Sequence, residues 1–172
     1  KGMCVIADKS SVLGLGGIIG GTKTSTELET KNILLESAYF LPKSIRKTAR
    51  NLSINSDAKY RFERGVDPNS IENGLKLAAK LIQEICGGKI SKINITGNTK
   101  FKNVKIKFDI NNFEKLIGFS VSSKDCQKIL ENLGFKVKVK KQLLDIDVPS
   151  WRLDVNQEAD IIEEILRIKG LD

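Results

Sequence analysis

The feature that most constrains this chain is a break. Residues 96–102 read TGNTKFK, turn-rich and polar, and the residue patterns on its two sides do not continue one another. The 172 residues are enough for one domain or two small ones, so length does not choose. The break does. It predicts a first unit over residues 1–98 and a second over 99–172. Both mix helix and strand patterns, which makes the fold class α+β: a partial mixed α/β domain, then a small winged-helix-like domain.

The first unit opens with strand patterns at 3–7 and 12–15, separated by a turn at 8–11. Gly14, Gly16, Gly17, Gly20 and Gly21 then crowd around Ile18 and Ile19. Two readings stand side by side: bulged strands packed closely, or a backbone bared for a ligand. It is not a P-loop, because Thr22 separates Gly21 from Lys23-Thr24, so the Gly-Lys-Ser/Thr ending is absent, and no helix-forming segment follows. Residues 22–31 read as a polar loop. Residues 32–37 read as a buried strand that delivers one carboxylate, Glu36, at its end. A carboxylate there costs free energy unless it is hydrogen-bonded or used, and the sequence leaves both open.

Pro42 suits a first helical turn, and Ile45, Ala49 and Leu52 follow at i, i+4 and i+7 as a buried stripe. Lys43, Arg46, Lys47 and Arg50 repeat that spacing on another face. Four cations on one side of a short helix point either to a phosphate backbone or to a well-solvated face. Arg61, Glu63 and Arg64 read as an ion network holding the next turn. Asp67-Pro68 predicts an N-cap and first position of a helix whose apolar face is Ile71, Leu75, Ala78, Ala79, Ile82 and Cys86, closed by Gly87-Gly88. Ile93 and Ile95 sketch a last strand.

In the second unit, Val104, Ile106 and Phe108 alternate as a strand. A short helix over 112–117 precedes Gly118. Ser122 or Ser123 caps a helix carrying Cys126, Ile129, Leu130 and Leu133. Two strands follow, one alternating with lysines and one with aspartates, joined at Lys141-Gln142. This is a hairpin whose cross-strand charges help to fix its register. A final helix over 157–169 turns Ile162, Ile165 and Leu166 inward.

Charge narrows the partners. The net charge is +8, yet residues 142–172 hold eight acids against three basic residues. The basic balance favours an anionic partner such as nucleic acid, with a lysine-rich solvated surface as the alternative. Asp160, Glu163, Glu164 and Arg167 fall at i, i+3, i+4 and i+7 of the last helix, with Asp154 just before it. Such carboxylates suit either a hard cation or a salt-bridged surface. There is no histidine, which excludes Ser/His/Asp and Cys/His nucleophilic sites and histidine-bound zinc. Any hydrolysis must use a positioned water. Cys4, Cys86 and Cys126 read as buried free thiols in a reducing, cytoplasmic compartment. No run is apolar enough for a membrane span. The opening from Lys1 straight into MCVIAD reads as a piece of a longer chain.

The segments GGIIGG, ILLESAYFLPKSIRKTAR, SDAKYRFERGVDP and ICGG resemble, in that order, the B3/B4 region of bacterial phenylalanyl-tRNA synthetase β subunits. LGF and VPSWRLDVNQEADIIEEILRIKG resemble the adjoining B5 domain. The resemblance implies an α₂β₂ enzyme that joins phenylalanine to its tRNA with ATP and Mg²⁺. Its aminoacylation site lies in the α subunit, so ATP is not bound here. For B3/B4 it implies editing, the hydrolysis of tyrosine misattached to tRNA-Phe. The tyrosine-recognising glutamate falls on Glu36, the ligand-admitting glycine on Gly20 and the small pocket residue on Ala58. Ser56 stands where the family usually has threonine, which keeps the hydroxyl and loses a methyl. Family histidines lie upstream of Lys1. No residue of this chain is assigned as catalytic, and the piece alone is expected to be inactive in aminoacylation and inefficient in editing. For B5 the resemblance places Mg²⁺ on Asp154, Asp160, Glu163 and Glu164, in a site shared with the α subunit, and so favours the cation reading.

Two functions follow. One is an editing hydrolase module with tRNA-Phe and the α subunit as partners. The other is a non-enzymatic module for tRNA binding and assembly, to which Lys43, Arg46, Lys47 and Arg50 contribute contacts.

Overall fold

The computed structural model describes residues 2–97 and 101–170 and divides into two compact units, residues 1–97 and 98–172. Residues 98–100, part of the turn-rich break, lie outside the described residues. The described residues have the α+β character expected, with two three-stranded antiparallel sheets and a separate set of helices in each unit.

In the first unit, β1 (Val5–Ala7), β2 (Val12–Leu15) and β3 (Ile19–Gly20) form a sheet in that order, with a bulge between Ile6 and Ala7. The β1–β2 turn is fastened by Asp8, whose Oδ1 accepts the N–H groups of Ser10 and Ser11, both at 2.7 Å. A single 3₁₀ turn (Thr22–Thr24) leads into irregular chain as far as α1 (Pro42–Leu52). Pro42 costs α1 nothing, since the first N–H groups of a helix have no partner within it. Ile45, Thr48 and Ala49 are its buried residues, and Leu52 stays 41% exposed, so the stripe runs through Thr48 rather than ending on Leu52. The buried cluster is small: Ile18, Ile45 and Ala49, flanked by Leu15, Phe40, Ile54 and Phe62. Phe40 and Phe62 meet edge to face with centroids 5.3 Å apart.

Several expectations for this unit change. Residues 32–37 form no strand, and Asn32, Ile33, Leu34 and Glu36 are exposed, because no neighbouring strand among the described residues supplies a ladder. The stretch after Ser56, to which the sequence assigns no element, is a helix, α2 (Asp57–Phe62), capped by the Ser56 hydroxyl, and the turn expected ahead of Asp67 follows it at Glu63 and Arg64. The next helix, α3 (Ile71–Cys86), starts at Ile71, not at Pro68. Asp67 instead accepts the Asn69 N–H at 2.9 Å and, through its carbonyl, the Ser70 N–H, which closes a turn before the helix. Ile93 and Ile95 lie in irregular chain. On α3, Ile71, Leu75, Ala78, Ala79 and Ile82 are half-buried as a stripe, but Cys86 is exposed. Of the three free thiols only Cys126 is buried, and burial pushes it up to about 11.

The second unit comprises β4 (Lys105–Asp109), α4 (Ile110–Ile117), α5 (Ser123–Asn132), β5 (Lys136–Lys140), β6 (Leu143–Asp147) and α6 (Glu158–Lys169). The sheet order is β4-β6-β5, so the hairpin's second strand is central. Helix signals act where the sequence has them. Asp109 caps α4, Gly118 ends it at φ 95°, and Ser122 rather than Ser123 caps α5. Ile106, Phe108, Val137, Leu144 and Ile146 face inward and meet Phe113, Cys126, Leu130, Ile161 and Ile165 from the helices. Each fully buried side chain of this size contributes about 1.5–3 kcal/mol. On α6 the buried residues are Ile161, Ile162, Glu164 and Ile165, with Leu166 only partly covered.

Candidate functional site

A cleft of about 730 Å³ opens in the first unit beside the glycine-rich stretch. Four separate stretches build its walls: Ile6 of β1, Leu13 to Gly20, the chain from Thr24 to Phe40, and Ala58 with Phe62 on α2. Gly20, Glu36 and Ala58 therefore share one cavity. Glu36 is the one acidic residue among the described residues lining it, and Phe40 and Phe62 make an aromatic wall.

The glycines divide between the two readings. A Cβ at Gly17 would lie 2.8 Å from Phe40 and 2.9 Å from Ile45, and one at Gly21 would lie 2.4 Å from the Leu13 carbonyl oxygen. These positions are glycine because chain and side chains press against them. A Cβ at Gly20 meets no atom within 4 Å, so its missing side chain leaves cleft space open.

Ser56 does not line the cleft. Its hydroxyl donates to the Ile18 carbonyl at 2.6 Å and accepts the Lys59 N–H at 3.1 Å. It caps α2 and ties that helix to the glycine loop, a positioning role that the hydroxyl alone performs. Thr24, Ser25, Thr26, Thr30 and Asn32 also line the cleft. In sequence the first four belong to the polar loop 22–31 and Asn32 to the expected strand, and no spacing singles them out.

All four cations of α1 are exposed. Arg46 donates to the carbonyl of Glu63, which leaves Lys43, Lys47 and Arg50 as the outward-facing set. Glu63 pairs with Lys59 and Arg64, whereas Arg61 has no ion pair among the described residues.

The carboxylates of the second unit are arranged as an ion lock. The Arg152 guanidinium grips Asp154 with Nε at 2.9 Å and Nη2 at 2.6 Å, and its Nη1 reaches Glu164 at 2.7 Å. Arg167 meets the same Glu164 oxygen at 2.7 Å. Glu164 is 5% exposed, so the two guanidinium groups compensate an otherwise costly buried charge. The Arg152 hydrogen bond pulls the Glu164 carboxyl down to about 2 and also holds Asp154 below its usual range. Asp160 is occupied as well: its Oδ2 accepts the N–H groups of Asn156 at 2.7 Å and Gln157 at 3.0 Å, forming the capping box of α6. Glu163 is exposed. Mg²⁺ does not fit these four groups as they stand, because protein donors hold three of them and a guanidinium lies between Asp154 and Glu164. Among the described residues no three Asp, Glu, Cys or His side chains converge as a cation site.

Comparison with known proteins matches residues 1–87 to the B3/4 domain and residues 106–171 to the tRNA synthetase B5 domain. The phenylalanine–tRNA ligase β subunit of Rhodopseudomonas palustris is 44% identical over 99% of this chain, and that of Bradyrhizobium diazoefficiens is 43% identical over 98%. The chain spans about a fifth of these relatives, 21% of their length. A solved N-terminal fragment of the phenylalanyl-tRNA synthetase β subunit from Pyrococcus horikoshii is 20% identical, with a TM-score of 0.37, over 40% of this chain and 20% of that one. With a B3/4 domain followed by a B5 domain, the chain belongs to the phenylalanine–tRNA ligase β-subunit family.

Proposed function

We propose that this chain serves in an α₂β₂ phenylalanine–tRNA ligase, with its cleft hydrolysing tyrosine misattached to tRNA-Phe. The observation that carries the reading is the meeting of Gly20, Glu36 and Ala58 in one cavity of about 730 Å³. Phe40 and Phe62 offer a surface for an aromatic ring. Glu36 accepts a hydrogen bond from the tyrosine hydroxyl, a bond that phenylalanine cannot make. A site that tests for a hydroxyl in this way supplies the discrimination that a pocket excluding it by size alone lacks.

The chemistry is ester hydrolysis by water. Water attacks the ester carbonyl, the bond to the ribose oxygen breaks, that oxygen takes up the proton the water loses, and tyrosine leaves as the free amino acid. With Glu36 engaged by the phenol and no histidine in the chain, acceleration rests on holding the water and ester in place. The threonine and serine hydroxyls on the cleft wall are the groups placed to do so. Charging of tRNA with ATP belongs to the assembled enzyme and its α subunit, in the cytoplasm. No step is assigned to Mg²⁺.

In the complete enzyme, Glu36→Ala lowers deacylation of tyrosyl-tRNA-Phe by about 10- to 100-fold, the worth of one charged hydrogen bond. Phenylalanine charging stays near the unsubstituted rate. Unchanged deacylation sinks the reading and leaves the second one, a tRNA-binding and assembly module. That alternative draws on the exposed Lys43, Lys47 and Arg50 of α1.

A further inference from the structure

The register of the second sheet sets charged side chains in rows. Across β4-β6-β5, Lys105, Asp147 and Lys136 form one row, and Lys107, Asp145 and Lys138 the next, with Lys140 beyond them beside Leu143. Strand alternation places these residues on the face opposite Ile106, Phe108, Leu144 and Ile146, and every lysine among them is exposed. Lys105 pairs with Asp147 at 3.1 Å and Lys140 with Asp145 at 2.7 Å. Both aspartates are thereby taken. Lys107, Lys136 and Lys138 have no ion pair among the described residues. Asp109, at the end of β4, is committed to capping α4 through the Asn111 N–H at 3.0 Å and Nδ2 at 2.9 Å.

Five lysines against Asp145, Asp147 and Asp109 leave this face with a surplus of two positive charges, and three of the lysines have no ion pair among the described residues. Cross-strand pairing to fix register needs one cation for each aspartate, and like charges brought together on a sheet are destabilising. The surplus is therefore unexplained by folding. Lysines two apart on a strand lie about 6.6–6.8 Å apart, and the two lysine-bearing strands are separated by about 9.5 Å, two strand spacings. The rows carry no aromatic side chain, so nothing here stacks on bases. Lysines, as point charges without a planar fork, suit phosphate contact that does not read sequence.

We infer that the outward face of the β4-β6-β5 sheet docks an RNA phosphate backbone through Lys107, Lys136 and Lys138. This surface is distinct from the cleft and from the α1 cations. Only the choice of RNA over other polyanions rests on the proposed function. A binding assay without any aminoacyl ester keeps the two separable.

The test uses the complete polypeptide that carries these residues, a fluorescent tRNA transcript, and poly-glutamate as a stand-in for an acidic protein. Lys107→Gln/Lys136→Gln/Lys138→Gln is expected to reduce the slope of log affinity against log salt by about 2–3. A control, Lys115→Gln/Lys124→Gln/Lys128→Gln, removes the same charge from α4 and α5 and is expected to change the slope by less than one. Should the first triple variant melt early, Lys138→Gln alone is read instead, with an expected change of about 0.7–0.9. An unchanged slope overturns the inference. Equal effects from face and control overturn it too, since net charge then suffices. Loss of poly-glutamate binding with tRNA binding intact assigns the face to an acidic protein and overturns it as well.

Discussion

The two units solve the same problem with different means. Among the described residues, the second buries a continuous cluster of sixteen apolar side chains drawn from its sheet and all three of its helices. The first buries three, Ile18, Ile45 and Ala49, and leaves Leu28, Leu34, Leu77 and Ile85 at least 60% exposed. Hydrophobic burial and regular hydrogen bonding define the second unit. In the first, much of the chain between β3 and α1 is irregular and lines a cleft. The lesson is that where few apolar side chains are buried together, a shared core does not hold the chain. What remains must be held by close-packed glycines and single hydrogen bonds such as Ser56 to Ile18.

That contrast can be broken at named positions. The largest effect is expected from Arg152→Ala, which leaves buried Glu164 with Arg167 as its remaining ion partner and strips Asp154 of its own. A loss of about 3–5 kcal/mol is expected, read by urea unfolding through the single tryptophan, Trp151, which lies in the second unit. A loss under 1 kcal/mol would show that the ion lock is surface decoration. The next effect is pH-dependent. The folded Glu164 carboxyl lies near 2, below its ordinary 4.5, so its stabilisation is complete above about pH 4.5 and disappears as pH falls toward 2. The expected change across that window is on the order of 3 kcal/mol, and Glu164→Gln should flatten it while lowering stability at neutral pH. A slope that persists in Glu164→Gln moves the acid sensitivity elsewhere.

The smallest effect sharpens the first unit. Gly17→Ala places a methyl against Phe40 and Ile45 at φ 68° and should cost about 1–3 kcal/mol in thermal unfolding. Gly20→Ala should stay within about 0.5 kcal/mol, because its Cβ meets open space. Equal costs at the two positions would remove the distinction between packing glycine and cleft glycine.

Legibility followed the same division. In the second unit, alternation, caps and glycine stops located the elements, because each signal acts over a few residues and agrees with the core. The reading failed at Glu164, placed on a polar face with Asp160 and Glu163. Helical spacing offers Arg167, which does pair with Glu164, but not the second partner, Arg152, twelve residues away in sequence, and not the burial of the carboxylate between them. In the first unit, α1 and the stripe of α3 were visible, while residues 32–37 were misread as a strand. An apolar run such as ILL carries the same pattern whether or not a neighbouring strand exists to pair with it. Gly20, Glu36 and Ala58, singled out by family resemblance alone, share a cavity, and their spacing in sequence says nothing of it.

The sequence alone determined the α+β class, the short-range caps and turns, the exclusion of histidine chemistry and the family. Each of these depends on residue identity or on spacing within a few turns. Only the tertiary structure decided that Ser56 braces the glycine loop rather than lining the cleft, and that the acidic residues near the end form an ion lock. It also decided that three sheet lysines have no ion pair among the described residues. These outcomes depend on which donors reach which acceptors across the fold, and a hydrogen bond or ion pair is made by distance in space, not by distance along the chain.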